Sequence, residues 1–373
     1  MKKTSIFFVN SSQGTGQFAR LESASNAIKK DHNVVWVSPK VKNPIEGIEY
    51  KNSFKEIKFN KDSKVNIIFS SESDIIKNYI TLILLKINYK NLNIVFMQRI
   101  DSLKNYLFNF KKNPSFEIFI RIIIFPFFVF LGLLLIDKYI FQTPFALRDY
   151  FLKKRVRTLL MSIFFKNQIM FTLTNNSGTQ WNLKFKNNNE SAIYSSTTPK
   201  RTIVYIGNIQ FYGKGIDTII EASKKLDASK YSFKLIGSIP HQFKEKIEDI
   251  KVHISRNNLD IEFCGHRDDP HKYLKNKNTI FVSASRLDLS PNSVLEALSF
   301  NIPILLSDIS AHQFIFRYDE FLFNKDNADE LSKKIEALFE NKDDWRRNLN
   351  FVEQVYDKFN FDWNAEFLKI MNV

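Results

Sequence analysis

Short apolar runs alternate with helix-like patterns along the whole chain of 373 residues. This alternation constrains the fold most, because it is typical of parallel β-sheets covered by helices on both faces. The predicted strands are Ser5–Val9, Val34–Val37, Val65–Phe69, Ile94–Met97, Tyr139–Gln142, Thr202–Ile206, Ser232–Ile236, Ile261–Cys264, Thr279–Val282 and Ile304–Leu306. The predicted helices are Phe18–Lys30, Gly215–Leu226, His241–Arg256, Pro291–Phe300 and Ala328–Glu340. The fold class is therefore α/β.

The length exceeds that of one ordinary domain, and the polar stretch Lys186–Arg201, rich in Asn, Ser and Thr, is the best linker candidate. The sequence predicts two doubly wound, Rossmann-like domains with parallel sheets, at residues 1–190 and 200–352. Such domains bind ligands beyond the carboxyl ends of their strands, so the two domains are expected to face a cleft.

Positive charge is concentrated in the first half of the chain. Residues 1–200 contain 30 Lys+Arg and 13 Asp+Glu (+17), which leaves 24 basic and 26 acidic residues (−2) in the remainder. A basic half attracts anionic lipid, phosphorylated substrates or nucleic acid, but the chain has no nucleic-acid-reading motif, so nucleic acid is not an expected partner. The single cysteine, Cys264, excludes an intrachain disulfide framework and fits a cytoplasmic protein.

Residues Ile122–Ile136 are apolar throughout but include Pro126 and Gly132. A spanning helix needs about 20 apolar residues, so this shorter segment is expected to be a buried or membrane-dipping helix. Four basic residues follow between 153 and 157. Apolar surface beside basic charge is typical of peripheral membrane proteins, which predicts a location on the inner face of the cell membrane with its anionic surface as a partner.

Two glycine-containing loops lie between a predicted strand and a predicted helix. The segment Gly14–Ala19 has the form G-x-G-x-x-A, but the acidic residue that an NAD site needs about 20 residues later is missing. It is therefore either a phosphate-facing loop or a plain tight turn. The segment Gly207–Gly215 is not a Walker A loop, but Lys214 at its end suits a diphosphate; the alternative is a solvated surface lysine.

The segment Ser285–Ala297 is the most informative one. Pro291 is expected in the first turn of a helix that Ser290 caps and that Asn301 ends in a left-handed conformation. The loop before that helix then lies at a helix N-terminus, where anions bind favourably. Glu296, more than a turn into the helix, could accept both hydroxyls of a ribose. On spacing alone, it could equally occupy the polar face of an amphipathic helix.

This segment resembles the E-x7-E segment of family 4 glycosyltransferases, which have the GT-B fold. The matching residues are Ser285, Pro291, Leu295, Glu296 and Ala297. Asp288 stands in place of the first glutamate. The loop with Gly207 resembles the family's G-R-x5-K-G loop, with Lys214 at its lysine and Asn208 in place of its arginine.

The resemblance extends more weakly to other parts of the chain. Gly14 and Gly16 stand where the family has its first glycine loop, and Gln98–Asp101 resembles an R-I-D segment of some members. Phe361–Trp363 resembles the start of the final helix, which implies that residues 353–373 cross back to the N-terminal domain.

The resemblance implies a role for each matched residue. Glu296 would bind the nucleotide ribose, Lys214 would neutralise the diphosphate, and Asp288 would face the donor sugar or its phosphate. Arg99 and Asp101 would line the cleft on the acceptor side, so the catalytic candidates are Asp288, Arg99 and Asp101. The further donor-binding candidates are Gly14, Gly16, Gly207, Asn208, His266, Ser290, Pro291 and Asn292. The alternative for His266 is a structural histidine.

The implied activity is that of a retaining hexosyltransferase acting in surface polysaccharide synthesis. Its co-substrate would be a nucleotide-diphosphate sugar, and its acceptor a glycan or a lipid-linked molecule. No metal and no other cofactor are expected, since the chain has no Asp-x-Asp pair and no His- or Cys-rich spacing. The alternative is a catalytically weakened nucleotide-sugar-binding or scaffolding subunit, because Asn208 and Asp288 depart from the family pattern.

Overall fold

The computed structural model describes residues 3–9, 16–38, 44–59, 63–97, 115–116, 131–132, 134–143, 169–172, 200–276, 278–288 and 291–372. The chain divides into two compact units. Unit 1 comprises Met1–Asn175 and Asp362–Val373, and unit 2 comprises Asn176–Phe361. Unit 1 is discontinuous along the chain, because its last segment follows unit 2.

Unit 1 is built on a parallel sheet with seven described strands. These are β1 (Lys3–Phe8), β2 (His32–Val37), β3 (Glu49–Lys51), β4 (Val65–Phe69), β5 (Leu92–Met97), β6 (Lys138–Phe141) and β7 (Ile169–Thr172). Their spatial order is β3-β2-β1-β4-β5-β6-β7, so the chain winds outward from β1 in one direction and from β4 in the other. The described helices that precede unit 2 are α1 (Gly16–Ile28), α2 (Glu72–Lys77) and α3 (Tyr79–Asn88).

Helix α1 packs on this sheet through one buried aromatic residue. Trp36 in β2 is fully buried, and its indole N–H donates to Ser25 Oγ in α1 at 2.7 Å. Phe18 packs edge-on against the same ring, with centroids 5.2 Å apart. Apolar side chains fill most positions of the central strands, as expected for strands that are covered on both faces.

Unit 2 is built on a second parallel sheet, with six described strands. These are β8 (Arg201–Ile206), β9 (Tyr231–Ile236), β10 (Ile261–Gly265), β11 (Thr279–Ser283), β12 (Ile304–Ser307) and β13 (Leu322–Phe323). Their spatial order is β10-β9-β8-β11-β12-β13. Both units are thus doubly wound, which confirms the predicted fold class.

The first five described helices of unit 2 lie between successive strands of this sheet, and the last two follow β13. They are α4 (Phe211–Lys214), α5 (Ile216–Ser223), α6 (Lys244–Arg256), α7 (Asn292–Leu298), α8 (Ser310–Ile315), α9 (Ala328–Glu340) and α10 (Lys342–Phe359). Asn341 separates α9 from α10, because its side-chain oxygen accepts from Asp343 N at 2.9 Å and so caps the second helix.

The last described helix, α11 (Trp363–Asn372), belongs to unit 1. Asp362 Oδ1 accepts from Ala365 N at 3.0 Å at the start of this helix, and the Arg20 guanidinium of α1 lies 5.3 Å from the Trp363 ring centroid. The predicted crossing segment 353–373 therefore consists of the end of α10, in unit 2, followed by α11.

All ten predicted strands are present, with ends that differ by at most two residues. Strands β3, β7 and β13 are present in the structure but were not predicted from the sequence. The strand β3 is polar and three residues long, and β13 has only two residues, so neither has an apolar run that a sequence pattern could reveal. The strand β7 is apolar and is nevertheless absent from the prediction.

Most of the apolar segment Ile122–Ile136 lies outside the described residues, although Ile136 itself is buried. Among the helices that the structure describes, none is long and apolar enough to cross a membrane. The predicted linker Lys186–Arg201 also lies outside the described residues, apart from its last two positions.

Candidate functional site

The loops that follow β8 and β11 leave the middle of the unit 2 sheet. These strands are neighbours, but β8 leads to β9 and β10 on one side, whereas β11 leads to β12 and β13 on the other. At such a switch point the two loops diverge and open a crevice in which α/β proteins bind ligands. The residues after these two strands are therefore the first candidates for a site.

Glycines allow the loop after β8 to lie directly against the end of β11. Gly215 has a φ of +64°, and a Cβ atom there would lie 2.0 Å from the Ala284 carbonyl oxygen. A Cβ atom at Gly207 would similarly lie 2.7 Å from the Tyr205 hydroxyl oxygen. The adjacent Lys214 is thereby brought to the carboxyl end of β11.

The buried side chain of Arg286 joins the two loops. Its guanidinium donates two hydrogen bonds to the Asp217 carboxylate in α5, of 2.7 and 2.9 Å. It also donates to the Phe211 carbonyl and to Asp326, while its backbone N–H donates to the Gly213 carbonyl at 2.9 Å. A bidentate guanidinium is a rigid anchor, so the segment after β11 is held against the loop with Lys214.

Within this frame, Lys214 and Asp288 form an ion pair. Lys214 Nζ lies 2.5 Å from Asp288 Oδ2, and both side chains are partly buried. Burial, and then the nearby Asp288 carboxylate, raise the pKa of the Tyr205 hydroxyl beneath the loop. The pair offers an ammonium group to an anion and a carboxylate to a hydroxyl, at the switch point of the sheet.

His312 in α8 supports the ends of β11 and β12. Its Nδ1 lies 2.9 Å from the Ser307 carbonyl oxygen, and its Nε2 lies 3.3 Å from Ser283 Oγ. Because a carbonyl oxygen only accepts, Nδ1 carries the hydrogen and Nε2 accepts from the serine hydroxyl. Burial lowers the pKa of His312 to about 4, so the ring is neutral near pH 7.

Helix α7 carries a largely buried carboxylate. The Glu296 side chain is 9% exposed, and its Oε2 lies 3.1 Å from Nε2 of His271, which is 15% exposed. The His271 ring stacks on Phe300, with centroids 5.4 Å apart and planes inclined by 17°. An ionised carboxylate only accepts hydrogen bonds, so His271 Nε2–H is the donor and Glu296 is held in one orientation.

The start of α7 differs from the prediction by one residue. The helix begins at Asn292, and Pro291 is its N-cap rather than its first helical residue. Ser290, the predicted cap, lies outside the described residues. The predicted left-handed conformation of Asn301 is confirmed by its φ of +50°, although the helix itself ends at Leu298 rather than at Phe300.

Residues 186–356 match the family model described as Glycosyl transferases group 1. This segment is therefore similar to glycosyl transferases group 1, and we call the matched residues 186–356 the group 1 domain. It covers the switch-point loops, α7 and most of unit 2.

The chain is also similar in sequence to a relative that is named as a glycosyltransferase. An uncharacterized glycosyltransferase of Haemophilus influenzae is 30% identical over 190 residues, which are 46% of this chain and 51% of that protein. This chain thus spans about half the length of that relative.

The sucrose-phosphate synthase of Thermosynechococcus elongatus is similar in fold, with a TM-score of 0.70 and 14% identity over 100% of this chain and 98% of that chain. Anabaena HepE in complex with UDP has a TM-score of 0.68 and 11% identity, over 99% of this chain and 98% of that chain. At these identities the likeness concerns the fold, which is of the GT-B type.

The group 1 domain brings some of the predicted residues together and leaves others apart. Lys214 and Asp288 form one pair at the switch point, and Glu296 lies on the helix that follows. The Asn208 side chain is exposed, and its carbonyl oxygen accepts from the Tyr205 hydroxyl at 2.9 Å. The His266 side chain is 62% exposed and lies 3.9 Å from Asp268, and its place in the donor site stays a prediction.

The remaining predicted residues lie in unit 1 or outside the described part. Gly16 is the first residue of α1, which follows β1 at the β1/β4 switch point of the other sheet. Gly14, Arg99 and Asp101 lie outside the described residues. Among the residues that the structure describes, no group of three or more His, Cys, Asp or Glu could hold a metal ion.

Three residues of the group 1 domain are absent from the prediction. His271 contacts Glu296, Arg286 joins the loops, and His312 supports the strand ends. Arg286 stands two positions before Asp288, but its partner Asp217 is 69 residues away in the sequence, so spacing could not reveal the pair. The signal for His271 was equally weak, because it is one of two histidines in the same loop.

Proposed function

We propose that the chain is a glycosyltransferase that moves a sugar from a nucleotide-diphosphate sugar to a glycan or lipid-linked acceptor. The observation that carries the proposal is the Lys214–Asp288 pair at the β8/β11 switch point, with the buried Glu296 on the following helix. One cation and two carboxylates suit a ligand that combines phosphate with many hydroxyl groups. The family match and the UDP complex of Anabaena HepE support the same function.

Each of the three side chains has a role in this proposal. Glu296 accepts hydrogen bonds from the two ribose hydroxyls of the nucleotide. Lys214 binds the diphosphate and stabilises the negative charge that develops on it as the sugar leaves. The phosphate oxygens replace the Asp288 carboxylate as partners of Lys214, and Asp288 then accepts from a hydroxyl of the donor sugar.

The resemblance to family 4 enzymes extends the proposal to the outcome of the reaction. We expect a hexosyl group to be transferred with retention of anomeric configuration and without a metal ion, since Lys214 supplies the positive charge. Arg99 and Asp101 are the proposed acceptor-side residues, and Gly14 and Gly16 are proposed donor-binding residues. Surface polysaccharide synthesis is the proposed pathway.

A screen of nucleotide sugars tests the proposal directly. Each sugar is incubated with the protein and candidate acceptors, and the released nucleoside diphosphate is measured, with UDP-sugars tried first. The Glu296→Ala variant should lose most of the turnover found. The matched control is Glu248→Ala, because Glu248 is an exposed carboxylate in α6 paired only with a surface lysine in the contacts described. Equal turnover in the wild type and in Glu296→Ala would refute the assigned role.

Membrane association is part of the proposal, and helix α3 supports it. Ile80, Leu84 and Ile87 are 74%, 54% and 73% exposed, and their spacing places them on one face of the helix. The helix contains no acidic residue, and Lys77 and Lys90 flank it. An apolar stripe bordered by lysines suits the surface of an anionic bilayer, where each lysine contributes about 1 kcal/mol.

Vesicle sedimentation tests this surface. The wild type should sediment with vesicles that contain phosphatidylglycerol and much less with neutral phosphatidylcholine vesicles. Replacing Ile80, Leu84 and Ile87 by serine should reduce binding at least tenfold. The control is Val252→Ser, which removes an apolar side chain that is 50% exposed in α6. Unchanged sedimentation of the triple variant would remove α3 from the membrane proposal.

The second candidate is a subunit that binds nucleotide sugars without transferring them. It is favoured by Asn208, which supplies no positive charge, and by the direct pairing of Lys214 with Asp288. Titration calorimetry with UDP, together with the turnover assay, separates the two candidates. Binding without turnover of any donor, in the presence of acceptors, would favour the subunit.

A further inference from the structure

His271 is held on two sides in the loop that follows β10. It belongs to the 3₁₀ turn Pro270–Leu274, which Leu274 anchors by its complete burial. One face of the imidazole stacks on Phe300. The stacking leaves the ring little freedom to turn, so the direction of its Nε2–H bond toward Glu296 is set by the fold.

Glu296 would have several side-chain orientations without this bond. Ordering a glutamate side chain costs on the order of 1.5–2 kcal/mol in conformational entropy. The contact with His271 involves one oxygen, Oε2, at 3.1 Å. A carboxylate offers about four lone-pair positions, so acceptor capacity remains for two hydroxyl groups after this bond has formed.

We infer that His271 is a positioning residue that orients the Glu296 carboxylate toward the two ribose hydroxyls and so sets the preference of the site for ribose over 2′-deoxyribose. The inference rests on the proposed function, because it takes Glu296 as the ribose ligand. It assigns to His271 no contact with the reacting atoms. Its effect should therefore appear in nucleotide selectivity and in KM for the donor, with a smaller effect on kcat.

Two substitutions separate the hydrogen bond from the stacking. His271→Phe keeps a flat ring on Phe300 and removes the N–H donor, whereas His271→Gln keeps an amide donor and removes the ring. Titration calorimetry measures the Kd values of UDP and of 2′-deoxy-UDP for each protein. ADP and GDP, with their 2′-deoxy forms, serve as further probes.

The wild type should bind the ribonucleotide at least tenfold more tightly than its deoxy form, as expected for a hydrogen bond to a charged group. In His271→Phe this preference should fall to within about threefold, and His271→Gln should recover part of it. In a Glu296→Gln background, His271→Phe should change the preference little further. The control is His253→Phe, since His253 is exposed on α6 and its described contact is Asn257.

Different results would overturn different statements. If the wild type bound none of the three ribonucleotides, the proposed function would fail. If the wild type preferred ribonucleotides and His271→Phe kept that preference, the inference alone would fail. A loss of affinity that is equal for UDP and 2′-deoxy-UDP in His271→Phe would also overturn it, because mere packing would weaken both alike.

Discussion

The Lys214 ammonium and the Asp288 carboxylate lie 2.5 Å apart, although 74 residues separate them along the chain. They come from two loops at the switch point of the unit 2 sheet, and Arg286 holds those loops together. The pair therefore forms only in the folded domain. The charge of Lys214 and the contacts that hold the two loops together can be tested by separate substitutions.

Removing the charge of Lys214 should affect the chemical step more than binding. In Lys214→Met, kcat for the best donor should fall roughly 100-fold or more, since the loss of one preorganised cationic contact to a developing charge costs that much. The matched control is Lys224→Met, which removes a surface lysine paired with Glu221. A fall in kcat of less than threefold would contradict the assigned role of Lys214.

Adding a methyl group at Gly215 should destabilise the protein. Gly215→Ala combines a left-handed backbone with a Cβ placed 2.0 Å from the Ala284 carbonyl, and should cost about 3 kcal/mol in free energy of unfolding. Gly265→Ala is the control, because Gly265 has a φ of +70° and open space around its Cβ position, so it should cost about 1 kcal/mol. Urea denaturation measures both, and equal losses would show that the close approach to β11 is unimportant.

Arg286 should stabilise the frame of the site. Arg286→Met should lower the free energy of unfolding by about 2–3 kcal/mol, because it leaves Asp217 and backbone carbonyls without a charged donor. Arg256→Met, which changes an exposed arginine in α6, should have little effect. A double-mutant cycle with Asp217→Ala tests the pair, and additive losses would contradict it.

The buried His312 should make stability depend on pH. Its pKa of about 4 in the folded protein lies below the value of 6.5 for an unperturbed histidine, so the unfolded chain takes up the proton first. The contribution of the neutral His312 to the free energy of unfolding is therefore fully present above pH 6.5. It decreases as the pH falls toward 4, by roughly 3 kcal/mol at most.

The charged groups near His312 are Asp288, Lys214 and Asp308, and all three are present in both proteins compared. Urea denaturation of the wild type is therefore compared with that of His312→Gln at several pH values between 4 and 8. The difference between the two proteins should narrow as the pH falls. A constant difference would contradict the buried neutral imidazole.

The sequence predicted the elements of the fold well because each central strand is buried on both faces and so reads as a continuous apolar run. Val65–Phe69 and Ala328–Glu340 have the predicted bounds. The strand β3 could not be predicted, since Glu49–Lys51 is short and polar and joins the sheet by pairing with β2. The order of the strands within each sheet was also beyond the sequence pattern.

The candidate site was predictable only where a motif supplied the order of residues. Lys214, Asp288 and Glu296 followed from the resemblance, whereas spacing alone left Glu296 as a residue of an amphipathic helix. Of the two histidines in the loop after β10, the sequence analysis named His266, whereas His271 is the one that contacts the Glu296 carboxylate. That choice depends on how the 3₁₀ turn Pro270–Leu274 folds back, and no periodicity encodes this.

The placement of α11 in unit 1 has a consequence for synthesis on the ribosome. Trp363 and Phe367 are buried, and Lys3 Nζ donates to Asn372 Oδ1 at 3.0 Å. These residues emerge from the exit tunnel only after all of unit 2 has been translated. Unit 1 therefore lacks α11 until the end of translation, although its other segment is synthesised first. Unit 2 can fold completely before α11 is available to unit 1.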